Sequence, residues 1–327
     1  MAQKRLGVTF GSLAVLGTRA VVDIAQEAEE MGYSSLWTVE ATGTDAFTLL
    51  GAVSAVAPGM GLGTGIVPVP IRTPPLAAMT AATLQAMSAD ADVFLGVGVS
   101  APGILRGHGV NTTDRPIAMM REYVALLREC LSGESVTFEG DFWSVKRFRL
   151  AVRMPERRPK IVMAALNPQM LKLAGEVADG VLLNYIPATH VPEAVAQVRK
   201  GGSAEILCYV HAAVGDLEKS ARSARRDLMN YAMADGYAKM FRAAGFTEEV
   251  DTLRARQKER DRDGALAAIS PEMIQAIDFI GSASEVTSFI QSYIDAGVEY
   301  PILMPMPWGE DRLQVTRDVM AAAAEVL

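Results

Sequence analysis

The run Gly63-Thr64-Gly65-Ile66-Val67-Pro68 closes an apolar segment, and Arg72-Thr73-Pro74-Pro75 leads from it into an amphipathic stretch from Leu76 to Ser88. A strand, a Gly-rich turn, Arg-Thr-Pro and a helix can bring bare backbone against a planar ligand, because glycine allows unusual torsions and leaves room for a ring. An ordinary strand-to-helix connection would read the same way. Glu40 closes the apolar run before it (Ser35–Val39) and offers a carboxylate that hydrogen-bonds a ligand or acts as a base. The competing reading of Glu40 is an ion pair or a solvated loop acid. Asn167-Pro168 starts a helix sharply, as a plain cap or as a set of N–H groups for a phosphate.

Other chemistries lack their residues. The two cysteines, Cys130 and Cys208, and the three histidines, His108, His190 and His211, stand at unrelated spacings, so no metal site is expected. No second carboxylate, Cys–His pair or Ser–His–Asp order stands at the predicted strand ends. Those ends are small and apolar: Thr9-Phe10-Gly11-Ser12, Gly98-Val99-Ser100, Ala165-Leu166-Asn167, Asn184-Tyr185 and Met304-Pro305-Met306-Pro307-Trp308. Such a site suits a bound ring that carries the chemistry itself. Trp308, Met304 and Met306 line an apolar pocket or pack the core.

The elements that must position these ends alternate along the 327 residues. Strands are predicted at Arg5–Phe10, Ser35–Val39, Gly61–Val67, Asp92–Val97, Pro159–Ala165, Val181–Asn184, Ala204–Ala212 and Tyr300–Met304. Helices are predicted at Arg19–Met31, Ala46–Ala57, Pro74–Ser88, Pro116–Leu131, Pro168–Ala178, Val191–Lys200 and Glu310–Val326. Glu139-Gly140-Asp141 marks a hairpin between Ser135 and Val145. Eight strand–helix units imply a single (β/α)8 TIM-barrel domain over residues 1–327, with a helical insertion of about residues 215–282 between strands seven and eight. A doubly wound sheet is the alternative. The insertion is expected on or beside the catalytic face.

The net charge of −7 and the absence of a basic stripe argue against nucleic acid as a partner. Lys146, Arg147, Arg149, Arg153, Arg157, Arg158 and Lys160 form the densest basic run, read as a solvated loop before an anion patch. No apolar run reaches membrane-spanning length. Met1-Ala2-Gln3-Lys4-Arg5 shows no signal peptide, and two packed thiols fit a reduced cytoplasmic chain.

The sequence resembles the bacterial luciferase-like superfamily of flavin- and deazaflavin-dependent barrel oxidoreductases. The resemblance rests on Gly63–Val67 with Arg72-Thr73-Pro74, on Phe94–Gly98, on Leu173–Asn184 and on Ala296-Gly297-Val298. The Leu173–Asn184 run is most similar to methylenetetrahydromethanopterin reductases, which use coenzyme F420. The resemblance implies a homodimer, a small-molecule substrate and a cofactor at the C-terminal strand ends. It implies a non-proline cis peptide at Gly65–Ile66 backing the ring, and cofactor contacts from Thr9, Glu40, Gly65, Ile66, Val67, Gly98, Ser100, Ala165, Leu166, Asn167 and Asn184.

This chain departs from the enzymes it resembles at the proton donor. Glu40-Ala41 stands where many deazaflavin members have Asp-His, Val99-Ser100-Ala101 stands where the sugar-phosphate dehydrogenases have Thr-Gly-Glu, and Thr9 stands where the reductases have an acid. Glu40 is therefore the expected catalytic carboxylate, and Gly65→Val is expected to block the ring while sparing the fold. The resulting expectation is an F420-dependent oxidoreductase, with an FMN-dependent monooxygenase and a non-catalytic binding protein as alternatives.

Overall fold

The computed structural model describes residues 5–88 and 90–327; Met1–Lys4, part of the stretch read for a signal peptide, lie outside them. Twelve strands occur among these residues: β1 (Gly7–Thr9), β2 (Ser35–Thr38), β3 (Gly61–Thr64), β4 (Val67–Pro68), β5 (Val93–Gly98), β6 (Val136–Glu139), β7 (Ser144–Phe148), β8 (Lys160–Ala164), β9 (Gly180–Leu183), β10 (Glu205–Val214), β11 (Asp278–Gly281) and β12 (Tyr300–Pro305). The order β1-β2-β3-β5-β8-β9-β10-β12 closes on itself through β12–β1, all pairs parallel. This is the eight-stranded barrel expected from the alternating pattern, not a doubly wound sheet. The hairpin is β6–β7, with its turn shifted onto Gly140–Trp143.

Helices wrap the barrel: α1 (Ala20–Glu30), α2 (Ala46–Val56), α3 (Pro74–Met87), α4 (Pro102–Gly107), α5 (Pro116–Leu131), α6 (Pro168–Val177) and α7 (Val191–Arg199). The insertion supplies α8 (Leu217–Ala232), α9 (Asp235–Ala243), α10 (Thr247–Lys258), α11 (Arg262–Ala267) and α12 (Pro271–Ile277), followed by α13 (Ala283–Asp295) and α14 (Arg312–Ala324). Local chemistry sets the ends. Gly32 at φ +87° terminates α1, donating to Glu29 O. Asp216 caps α8, and Ser282 with Glu285 forms a capping box on α13. The short helix α4 was not anticipated; its Ala101-Pro102 start had no apolar period long enough to read.

The barrel interior explains the glycines of β3. Trp37 lies fully buried, stacked on Phe94 at 5.1 Å between centroids, with Tyr209 edge-on at 6.4 Å. A Cβ on Gly63 would fall 2.3 Å from the Trp37 ring, and one on Gly65 would fall 1.7 Å from the Tyr209 hydroxyl. Small residues on β3 thus make space for large ones on β2 and β10. Thr64 Oγ1 donates to Gly96 O at 2.8 Å and accepts from Gly96 N at 2.9 Å, locking β3 to β5 just before the chain bulges.

β11 adds a ninth parallel strand outside the barrel. It pairs with the C-terminal extension of β10, placing Asp278 opposite His211.

Candidate active site

The peptide Gly65–Ile66 is cis, as the resemblance implied. One extra residue lies between the β3 and β4 pairings to β5, so the chain bulges there. Gly65 N donates to Thr38 O at 2.7 Å, and Glu40 N donates to Ile66 O at 3.2 Å. The bulge is therefore held from the β2 side, and its other side faces the barrel mouth.

A cavity of about 400 Å³ opens over Gly65 at the C-terminal ends of the strands. Gly11, Ser12 and Val39 line it from the loops after β1 and β2, and Asn184 and Tyr185 from the end of β9. Tyr209, Met304, Met306 and Trp308 close the other side. The insertion completes it: Ser223, Asp227 and Tyr231 of α8 form part of the wall. The expected location of the insertion beside this face holds, and Trp308 with the two methionines serves both as packing and as lining.

The predicted site residues divide three ways. Gly65 and Asn184 line the cavity. Ile66, Ser100, Leu166 and Asn167 sit half-buried at the strand ends without lining it, and Ala165 is buried beside them; Ser100 adopts φ +67°. Asn167 stands at the N-cap of α6, before Pro168, but its side chain does not bond the first turn; its Nδ2 donates to Gly236 O at 3.2 Å. Thr9, Val67 and Gly98 are buried beneath this surface. The Thr9 hydroxyl is taken by Gly11 N (3.1 Å) and Trp37 O (3.3 Å), so it supports the floor.

Glu40 resolves toward the ion pair. Arg72 Nε donates to Glu40 Oε2 at 2.6 Å and Arg72 Nη2 to Oε1 at 2.8 Å, with both side chains only 12% exposed. Arg72 also pairs with Asp45, the cap of α2. Both carboxylate oxygens are thus engaged, in the two-pronged geometry that suits guanidinium. The triad ties the loop after β2 to the loop after the bulge. The Gly65→Val test needs the same correction: any side chain at Gly65 meets Tyr209 inside the protein before it meets a ligand. In the basic run, Arg157 and Lys160 pair with Asp92, and Arg149 binds Gly133 O.

Sequence reasoning missed a polar cluster at the cavity wall. His211 Nδ1 lies 3.0 Å from Asp278 Oδ1 and Nε2 lies 2.9 Å from Asn184 Oδ1. Asn184 Nδ2 donates to Tyr237 at 3.2 Å, and Tyr185 donates to Asp227 Oδ2 at 2.7 Å. Burial pulls His211 down to about 4, so the imidazole is neutral at physiological pH. Burial, reinforced by the neighbouring Asp278, pushes Asp227 up to about 7. Burial raises Asp278 and the tyrosines Tyr185, Tyr209 and Tyr237 as well. Residues 211, 227 and 278 form no spacing motif; the register of β10 with β11 and the fold of the insertion bring them together. An acid opening the short apolar run Asp278-Phe279-Ile280-Gly281 was the one available signal.

Residues 8–300 match the family model described as luciferase-like monooxygenase. A Mycobacterium tuberculosis protein named for coenzyme F420-dependent oxidoreductase activity is 23% identical, with 91% of this chain and 94% of that one covered. The 5,10-methylenetetrahydromethanopterin reductase of Methanolobus tindarius is 24% identical over 85% of this chain and 87% of its own. The fold is shared with the coenzyme F420-dependent tetrahydromethanopterin reductase of Methanopyrus kandleri, at a TM-score of 0.83 and 20% identity, covering 99% of each chain.

Proposed function

The chain belongs to the luciferase-like monooxygenase family, and on that premise we propose that it is a coenzyme F420-dependent oxidoreductase that moves a hydride between the deazaflavin and a small organic substrate. The observation that carries this reading is that two similar proteins, matched over more than nine tenths of the chain, are both named as F420-dependent. The residues present fit the group. At the Gly65–Ile66 bulge, Gly65 presents backbone without a side chain to the cavity, and the Tyr209 hydroxyl donates to its carbonyl at 3.4 Å. The first turn of α6 has no side-chain cap, which leaves its N–H groups to receive a phosphate beside Ala165 and Leu166. When bound, the deazaflavin supplies a two-electron hydride donor or acceptor.

In this reading Gly65 and Ile66 would back the ring, and Ser100, Ala165, Leu166 and Asn167 would hold its chain. The Glu40–Arg72–Asp45 triad holds the bulge in place; we assign Glu40 to that task beside the cofactor and not to proton transfer. The cavity over Gly65 takes the substrate. The test is turnover: reduced F420 is offered with a panel of ketones, enones, imines and alcohols under anaerobic conditions. Oxidation of the cofactor with any member supports the reading, and none with any member opposes it. The same side-chain-free backbone at Gly65 also suits an isoalloxazine, and the family is described for monooxygenases, so FMN is the second reading.

The protein acts as a homodimer through α2 and α3. Neither helix contains a charged residue, and α3 exposes Leu76 (44%), Met79 (48%) and Met87 (57%) on its outer side. A second copy of the same face is the matching occupant, since a twofold contact is self-complementary. The buried free thiols Cys130 and Cys208 suit a cytoplasmic location. No helix among the described residues is long and apolar enough to cross a membrane.

A further inference from the structure

Hydride transfer leaves a proton to be moved, and the cavity wall holds an acid pair with no other assigned task. Asp227 of α8 faces the cavity. Asp278, fully buried, stands behind it, and the ligating atoms of His211, Asp227 and Asp278 lie within 4.8 Å of one another. Asp278 Oδ2 has no hydrogen-bond partner although it is sealed from solvent. A buried carboxylate oxygen beside a second carboxyl is satisfied when one proton sits between them, and two such groups in a dry site cannot both be ionised. His211 points the same way. Its Nε2 faces Asn184 Oδ1, an acceptor, so Nε2 carries hydrogen; a further proton must then bridge Nδ1 and Asp278 Oδ1. Both ring nitrogens are therefore engaged, and the cluster is linked by protons.

We propose that Asp227, sharing a proton with Asp278, is the catalytic acid–base group of this cavity, and that the substrates it serves carry a carbonyl or imine. This rests on the hydride-transfer reading. In reduction the substrate carbon gains the hydride with its electron pair, and the π pair of the C=O or C=N bond moves to the heteroatom. The Asp227 O–H bond breaks as the new O–H or N–H bond forms. The carboxylate left behind regains a proton from solvent through the cavity mouth; oxidation runs the same steps backward. Asp278 and His211 are positioning residues, and Tyr185 orients Asp227 through its 2.7 Å hydrogen bond. The groups bearing on Asp227 are Tyr231 on its own helix, Tyr185 after β9, His211 on β10, Asp278 on β11 and Tyr237 on α9, with Arg312 at the cavity rim. Its apparent ionisation belongs to the pair.

The experiment compares the full-length protein with Asp227→Asn and Asp227→Glu. The first readout needs no cofactor: the thermal midpoint of the apo-protein from about pH 4 to about pH 9. A carboxyl raised in the folded state stabilises while protonated, so the wild type loses stability as pH rises from the ordinary carboxyl range to about 7 and levels off above it. Asp227→Asn loses the part of that decline that belongs to Asp227 and keeps only that of Asp278. The second readout is reduction of the best substrate of the panel across the same pH range. The wild-type rate falls above about pH 7; Asp227→Asn is slower by roughly 10²–10⁴-fold and loses that limb, while Asp227→Glu recovers part of both. Cofactor affinity stays unchanged in both variants. A pH limb that persists in Asp227→Asn, or stability profiles that coincide, overturns the proposal. So does stabilisation of the wild type, but not of Asp227→Asn, by Zn²⁺ or Mn²⁺, which would make the cluster a cation site. The apo-protein profile is independent of which cofactor binds, so failure of the F420 reading is told apart from failure of the acid pair.

Discussion

Gly65→Ala should destabilise the protein through Tyr209, before any effect on a ligand. The new Cβ would stand 1.7 Å from the Tyr209 hydroxyl, 2.5 Å from Cζ and 3.0 Å from Leu182 Cδ2. Ordinary contact needs well over an ångström more from the tyrosine. Its ring is 2% exposed and set edge-on against Trp37, so it cannot yield without disturbing the barrel layer. Overpacking of this kind costs about 1–3 kcal/mol. For a chain of 327 residues, unfolding entropy of about 2.1 cal/mol/K per residue gives about 0.7 kcal/mol/K, so the midpoint falls by roughly 1.5–4 °C. Tyr209→Ala removes the obstacle. It costs about 3–5 kcal/mol by itself, but in its background the added methyl has room and Gly65→Ala becomes nearly neutral. Thermal unfolding by circular dichroism of the four proteins closes the cycle, with an expected coupling of about 1–3 kcal/mol. Equal cost of Gly65→Ala in both backgrounds would refute the reasoning.

Glu40→Gln removes one charge from a largely buried pair in which Arg72 keeps the more exposed Asp45. It should cost about 1–3 kcal/mol of stability, lower turnover less than tenfold and leave the pH profile in place; a hundredfold loss with intact cofactor binding would return the proton role to Glu40. Leu76→Glu with Met79→Glu places charge on the uncharged α3 face. Sedimentation at micromolar concentration should then give the 35.0 kDa monomer, against a dimer for the parent, and a monomeric parent would contradict the interface.

The barrel was legible because buried parallel strands read as short apolar runs and each is followed by a periodic helix. Val93–Gly98 and Pro116–Leu131 emerge within a residue of their expected bounds. Gly63 and Gly65 were conspicuous by type, yet their reason lies across the barrel in Trp37 and Tyr209, which spacing along the chain does not disclose. Glu40 was visible as an acid at a strand end. Its partner Arg72 stood in the very motif that drew attention, read there as part of a ligand turn. The acid pair was hidden for a different cause. Asp227 sits in a charged amphipathic helix of an insertion whose fold had no template in the pattern. Asp278 reaches His211 only through a parallel register 67 residues apart in sequence.

The central claim is the cofactor. Anaerobic titration of the purified apo-protein with coenzyme F420 and, separately, with FMN, followed by fluorescence or absorbance, tests it most directly. Saturable binding of F420 and none of FMN at matched concentrations is the expected result. Tight FMN binding without F420 binding would contradict it and place the protein among the flavin monooxygenases of its family.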